Sequence, residues 1–153
     1  MKRRMRIIPL VLAVVTVLCF SGCAKAGEPK LGEFGEDFQG IRGAIKLSAD
    51  PISVFGTVDV SLVLSNVTAS NIQISATQYM VLEYYYEGKE LHQQTGDFFL
   101  QNTENQTANI IIPAGETQEF RLETFSPTAG RGLYHVGGVM TYHQFPLTSF
   151  RAR

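Results

Sequence analysis

The sequence predicts an all-β domain, an antiparallel sandwich or barrel, on three observations. Apolar residues recur with period two in several windows. No window sustains a helical period, and turn residues return every eight to twelve positions.

Taken in order, Gly43–Ala49 carries Ile45 and Leu47 on one face and stops at Asp50-Pro51. Thr57–Asn66 is the clearest strand, with Val58, Val60, Leu62 and Leu64 alternating with Asp59, Ser61 and Ser65. Ile72 and Ile74 flank Gln73 in a shorter one. Tyr79–Tyr86 turns Met80, Leu82, Tyr84 and Tyr86 inward, which leaves Tyr79, Val81 and Tyr85 on the outer face. A tight turn follows, centred on Glu87-Gly88 with Tyr86 opposite Lys89; the other register would set Glu87 against Glu90. Asp97–Gln101 is a short aromatic strand, and Ala108–Ile112 is an apolar run stopped by Pro113-Ala114-Gly115-Glu116. Gln118–Phe125 alternates through Phe120 and Leu122, and Leu133–His143, with Gly137-Gly138 in its middle, closes the domain as one strand.

The amino terminus is of another kind. Lys2, Arg3, Arg4 and Arg6 precede an apolar run from Ile7 to Phe20, shorter than the ~20 residues of a membrane span, and such flanks fit a secretory signal. Phe20-Ser21-Gly22-Cys23 resembles the lipobox of bacterial lipoproteins. The resemblance implies cleavage after Gly22, a diacylglyceryl thioether on Cys23 and, in many such proteins, acylation of the new amino group. Each buried CH₂ would contribute about 0.8 kcal/mol, so two or three chains make a lasting anchor. Ala24, with no Asp beside the modified Cys, resembles the Gram-negative pattern sent to the outer membrane, facing the periplasm. Leu is commoner than Phe where Phe20 stands. The alternative is an ordinary signal peptide with Cys23 left as a free thiol.

Cutting at Gly22 changes the charge. The whole chain carries 13 basic and 14 acidic residues for a net −1; four basic residues and no acid leave with residues 1–22, so the mature chain stands at −5. An acidic body without a basic stripe argues against nucleic acid as a partner. Cys19 is discarded with the signal, so no disulfide staples the mature domain.

Residues 23–41 follow as a lipidated Cys and a flexible tether. Gly27, Gly32, Gly35, Gly40 and Pro29 among Glu28, Glu33, Glu36 and Asp37 bury little surface, and such a coil would reach roughly 23 Å. Phe34 and Phe38 are the exception: they dock on the domain, grip a partner or stay free. Residues 42–153 make one domain, of a size that buries roughly two thirds of its unfolded surface.

Three pieces carry a further resemblance: the long strand Val58–Asn66, the turn Ile112-Pro113-Ala114-Gly115-Glu116-Thr117 leading to Phe120, and Gly132-Leu133-Tyr134-His135-Val136. Their order resembles immunoglobulin-like domains of bacterial secreted proteins, and it is similar to the family of the Bacillus intracellular proteinase inhibitor. The resemblance spans roughly 42–143 and implies an antiparallel immunoglobulin-like β-sandwich of about 7–9 strands. Tyr134 resembles the tyrosine that locks a strand corner. Phe125 stands where such domains often place a Trp, which this chain lacks. No reactive-site residue carries over.

Catalytic sets are not apparent. His135 and His143 would lie about 26 Å apart on one extended strand, too far to share a zinc ion, and His92 stands elsewhere. Glu83 with Glu87, and Glu119 with Glu123, fall on a solvent face about 13 Å apart, wider than glycosidase carboxylates. Ser61 and Ser65 face outward without a nucleophile elbow, and Gly130-Arg131-Gly132 lacks the strand–loop–helix setting of a phosphate loop. Asn66-Val67-Thr68 and Asn105-Gln106-Thr107 match a glycosylation pattern that is commonly coincidental in a bacterial protein. The expectation is therefore a non-enzyme, with no cofactor and no metal.

What remains is an aromatic surface. Tyr79, Val81 and Tyr85 on the outer sheet face, with Phe34 and Phe38, are the candidate partner surface; alternatively Phe34, Phe38 or Phe145–Phe150 cover that face. The expected function is a lipid-anchored, extracytoplasmic, immunoglobulin-like module that binds another envelope protein. Two alternatives stay open: a proteinase inhibitor using Gln101–Ala108 or Ser126–Arg131 as its loop, and an accessory subunit of an envelope secretion or pilus assembly.

Overall fold

The computed structural model describes residues 27–75, 80–96, 109–140 and 143–153. Ten strands run through them: β1 (Glu28–Leu31), β2 (Ile41–Asp50), β3 (Val58–Asn66), β4 (Ile72–Ile74), β5 (Met80–Tyr86), β6 (Lys89–Gly96), β7 (Ile110–Ile112), β8 (Thr117–Phe125), β9 (Gly132–Met140) and β10 (His143–Ala152). All neighbouring strands are antiparallel, in two four-stranded sheets ordered β1-β2-β3-β8 and β10-β9-β5-β6, with a small pair β4-β7. This is the order of an immunoglobulin-like sandwich, with β2, β3 and β8 in the places of strands A, B and E, and β10, β9, β5 and β6 in those of G, F, C and C′. After β2 the chain turns at a cis Asp50-Pro51 bond and crosses to the second sheet, where Ile52 bridges Ala152 in parallel.

Period-two patterning sets what lies between the sheets. Ile45, Leu47, Val58, Val60, Leu62 and Leu64 of the first sheet bury against Met80, Leu82, Tyr84, Tyr134, Val136 and Phe150 of the second. Phe125 is the hub: it stacks on Tyr84 at 4.2 Å and meets Tyr134 and Phe150 edge-on at 6.0 and 6.1 Å, so a phenyl ring fills the place where the resemblance expects an indole. The Tyr134 hydroxyl donates to the Gly130 carbonyl at 2.8 Å, four residues upstream, as a corner tyrosine does. The β5–β6 turn has the expected register, Tyr86 opposite Lys89, with Glu87 and Gly88 both at positive φ.

Three expectations are corrected. First, the segment read as a tether is folded from Gly27 onward. β1 pairs with β2 through Lys30↔Leu47 and Leu31↔Lys46, and the amides of Gly32 and Gly35 continue that edge by donating to the carbonyls of Ile45 and Gly43 at 2.8 Å each. Its glycines serve close contact: a Cβ on Gly27 would stand 2.3 Å from the Pro51 carbonyl oxygen. An added edge strand needs backbone pairing rather than apolar burial, so its composition resembles that of a linker.

Second, Leu133–His143 is not one strand. β9 ends at Met140, and His143 opens β10 opposite it, so β10 extends the second sheet as its outer strand. β1 and this division add to the 7–9 strands expected.

Third, Glu119 and Glu123 do not share a face. The β3–β8 register shifts between Val60↔Glu123 and Ser61↔Arg121, so Leu122 is an extra residue in β8. A bulge inverts the alternation beyond it: Glu119 stays outside, and Glu123 turns toward the core. Ser61 faces outward as expected but is buried under its neighbours, hydrogen-bonded to Glu119. Tyr79, Asp97–Gln101, Gln101–Ala108, Asn105-Gln106-Thr107, and residues 1–26 with Cys19 and Cys23 lie outside the described residues.

Candidate functional site

The described outer face of the second sheet is built by its central strands β5 and β9 and the edge strand β10. Register places Val81 beside Val139, Glu83 beside Gly137 and Tyr85 beside His135 on β5 and β9. β10 contributes through a bulge between Phe145 and Thr148, which contains Pro146 and Leu147. A proline is tolerated at such a position because it donates nothing to the ladder. The bulge aims Leu147 over Gly137: a Cβ on that glycine would stand 2.6 Å from the Leu147 Cδ2 methyl. Val81, Val139 and Leu147 thus form a small apolar patch, and Leu133 stands further along the same face of β9, beyond the row of Tyr85, His135 and Ser149. Leu147 is 52% and Leu133 40% exposed, while Val81, Tyr85 and Val139 are half-buried.

Of the candidate partner residues, Val81 and Tyr85 take the outward positions expected. Tyr85 is less available than its exposure suggests, because its hydroxyl donates to Glu83 Oε2 at 2.9 Å; that bond to the carboxylate, with some burial, raises its pKa. Phe34 and Phe38 do not join this face. Phe38 bridges Ile41 and stacks on His143 at 5.3 Å, next to the β10 edge, and Phe34 is half-buried in the same β1–β2 connection. Nor does Phe145–Phe150 cover the patch: Phe145 and Phe150 point into the core, and Leu147 of the same segment becomes part of the patch itself. Sequence reasoning missed Leu133, Val139 and Leu147, the last because the β9–β10 division was not visible; Pro146 was the available signal.

A second polar device joins the sheets. The hydroxyl of fully buried Tyr84 donates to Glu123 Oε1 across the sandwich, and burial followed by the carboxylate pushes its pKa strongly upward. Only the β8 bulge lets Glu123 reach it. The pair ties the two layers together in the packed interior, so its geometry is structural.

The remaining candidates divide the same way. His135 sits half-buried on the outer face, and His143 lies on the inner edge of β10 between Phe38 and Phe145, with its Nε2 buried and lacking a hydrogen-bond partner. Among the described residues no group of three His, Cys, Asp or Glu is placed to hold a metal ion. Asn66 is 1% exposed and its amide is fully used: Nδ2 faces the carbonyls of Ser70, Ile112 and Pro113, and Oδ1 accepts from Thr68. The Asn66-Val67-Thr68 pattern is therefore a turn lock and offers no acceptor for sugar. The Ser126–Arg131 loop is held at its end, with the Gly130 carbonyl taken by Tyr134, the Arg131 carbonyl by Tyr86 at 2.9 Å, and Pro127 buried.

No protein-family model matches this chain, and no curated protein matches it. Among solved structures it is similar to a Pseudomonas fluorescens alkylpurine DNA glycosylase, AlkC, bound to DNA containing an abasic site analog, at 11% identity and a TM-score of 0.43 over 83% of this chain and 31% of that one. It is similar too to a β-glucosidase, EmGH1, from Erythrobacter marinus, at 10% identity and a TM-score of 0.45 over 82% of this chain and 16% of that one. The chain thus spans under a third of the length of either, and at those scores neither bears on what it does.

Proposed function

We propose that this chain is a non-catalytic, lipid-anchored, extracytoplasmic module that binds another envelope protein through the outer face of β5, β9 and β10. The observation that carries this reading is the patch Val81–Val139–Leu147, with Leu133 exposed further along the same face. Leu147 and Leu133 are large aliphatic side chains left 52% and 40% exposed beside half-buried valines and a tyrosine. The cluster of Val81, Val139 and Leu147 on one sheet face marks a contact surface more often than a solvated one. The lipobox resemblance at Phe20-Ser21-Gly22-Cys23 supports the location: a bacterial envelope, and the periplasmic face of the outer membrane in a Gram-negative host.

Two measurements test it. Mass spectrometry of the native protein should find a first peptide starting at Cys23 with an acylated sulfur. A photo-crosslinker replacing Leu133 should yield a discrete protein adduct in whole cells, and Leu147→Glu should remove that adduct while shifting the unfolding midpoint by less than about 0.5 kcal/mol, as surface substitutions do. An adduct unchanged by Leu147→Glu, or one equally strong from position 67 on the far side, would refute the binding face. Purification of the mature protein with a large membrane assembly would instead favour the accessory-subunit reading.

A further inference from the structure

The folding of the expected tether has a geometric consequence. If Cys23 is acylated, only Ala24, Lys25 and Ala26 separate it from Gly27, where the described domain begins. Whatever their conformation, four residue steps reach no more than about 14 Å. The domain is therefore held against the lipid surface, and Gly27 fixes which end faces it: Glu28 pairs with Asp50, and Gly27 abuts the backbone of Asp50-Pro51. At that end lies the connection from β2 to β3.

That connection presents Phe55, 96% exposed, the most exposed large hydrophobic residue described. It is held rather than loose. The Gly56 amide donates to the Ser53 carbonyl at 2.8 Å, the Phe55 amide donates to Ser53 Oγ at 3.3 Å, and the Val54 amide donates to the Arg153 carbonyl at 3.0 Å. Cations lie at the same end. Lys30, Arg151 and Arg153 line a cleft of about 270 Å³ with Asp50, Ser149 and Leu133, and Arg131 and Lys89 lie at the same end of the sandwich. Glu28, Asp50, Asp59, Glu87 and Glu90 share this end, so it balances to neutral. Among the described residues the opposite end carries Glu36, Asp37 and Glu116 against Arg42. In a mature chain at −5 this polarity turns the Phe55 end toward an acidic surface.

We infer that the Ser53–Gly56 turn is a second membrane contact: Phe55 enters the headgroup–acyl boundary of the bilayer that holds Cys23, and Arg151 and Arg153 meet anionic phospholipid headgroups beside it. Exposed apolar groups held against a bilayer gain by entering its headgroup–acyl boundary, as the apolar faces of interfacial helices do, and neighbouring cations add attraction to anionic lipid. The anchor fixes position, and this contact fixes orientation, which directs the β5–β9–β10 face sideways to the membrane where a neighbouring envelope protein can reach it. The inference rests on the anchored reading above.

The chain lacks tryptophan, which makes the test direct. Phe55→Trp places a sole indole at the turn, and Ala69→Trp places one at an exposed site in the β3–β4 connection at the opposite end. Full mature protein, its Cys23 acylation verified by mass, is reconstituted in phosphatidylcholine vesicles with and without a quarter phosphatidylglycerol, each with dibrominated acyl chains. The Phe55→Trp protein should show blue-shifted emission and at least about twofold more bromine quenching than the Ala69→Trp protein. Adding Arg151→Glu and Arg153→Glu should reduce the excess in phosphatidylglycerol vesicles and leave it unchanged in pure phosphatidylcholine. Equal quenching at the two positions with Cys23 acylated overturns this inference alone; a bare Cys23 overturns it together with the anchored reading.

Discussion

The two sheets treat their outer faces differently. The first sheet closes its face with charge: Lys46 pairs with Glu119 at 2.5 Å, Arg121 Nη2 donates to Asp59 Oδ1 at 2.7 Å, and Thr124 Oγ1 donates to the same oxygen at 2.6 Å. Beneath that network Val63 and Ser61 are only 6% and 7% exposed. These polar groups find partners within their own face, and long cationic stems cover what is apolar below. The outer residues described on β5, β9 and β10 of the second sheet are of another kind. Its face carries Val81, Val139, Leu147 and Leu133, a tyrosine engaged to Glu83, and a glycine where a side chain would otherwise stand. A face satisfied within itself gains little from a partner, whereas one with exposed aliphatic groups gains by covering them.

Glycine substitutions separate the inner surfaces from the outer ones most sharply. Gly43 on β2 faces the core, and a Cβ there would stand 2.0 Å from Cε1 of the buried Phe145 ring. Gly43→Ala forces that ring to move in a packed interior and should cost about 1–3 kcal/mol, read from the urea midpoint. Gly137→Ala meets only the end of the half-exposed Leu147 side chain, which can swing aside, so its cost should stay below about 0.5 kcal/mol. Displacing Leu147 should nonetheless weaken the crosslink from position 133. Equal losses of stability from the two variants would mean that the Leu147 side of the sheet is core.

Next in size is the bond between the layers. Tyr84→Phe deletes the phenol donor to Glu123 and should cost about 1–3 kcal/mol at neutral pH. Its pH dependence has a definite sign. The folded-state pKa of Tyr84 is raised by burial and by the Glu123 carboxylate, so its contribution is complete below the ordinary tyrosine value near ~10 and declines as pH rises beyond it. The parent protein should therefore lose stability between about pH 10 and 11 faster than Tyr84→Phe does. Parallel alkaline limbs would show that Tyr84 is solvated.

Legibility in the sequence followed the side-chain signal. Val58–Asn66, Met80–Tyr86, the Glu87-Gly88 turn and the Tyr134 corner were readable because period-two burial, a positive-φ turn and one aromatic at a strand start are properties of local residues. What escaped depends on backbone geometry. The β8 bulge at Leu122 has no signature in Gln118–Phe125, yet it decides that Glu123 faces Tyr84 while Glu119 faces Lys46. β1 is held by ladder hydrogen bonds and by Lys30, whose ammonium donates to Asp50 Oδ2 at 3.0 Å and to the Ser149 carbonyl at 2.6 Å; residues 20 and 119 positions away cannot be read from a window. Two of the five residues of the candidate face, Val81 and Tyr85, were read from alternation. Leu147 required knowing that β10 pairs with β9 through a bulge.

The smallest expected effect tests whether the polar face of the first sheet does what its geometry suggests. The hydrogen bond from Thr124, opposed by burial and helped by Arg121, holds the Asp59 carboxyl below the usual carboxylate range, and the hydrogen bond from Lys46 does the same for Glu119 against burial. A depressed folded-state pKa stabilises above the unfolded value and is lost as pH falls through the folded one, so the sensitive window opens near pH ~4 and runs below it. The partners are exposed, with Arg121 at 65% and Asp59 at 40%, so screening confines each pair to a few tenths of a kcal/mol. Asp59→Asn with Glu119→Gln should flatten the acid limb of the stability curve by about that amount, and added salt should shrink the difference further. The second sheet titrates at the other extreme: Tyr85, raised by Glu83, contributes below pH ~10 and loses that contribution above it. A double variant with an unchanged acid limb would show that the first sheet's charges are spectators, and the contrast between the faces would then rest on apolar exposure alone.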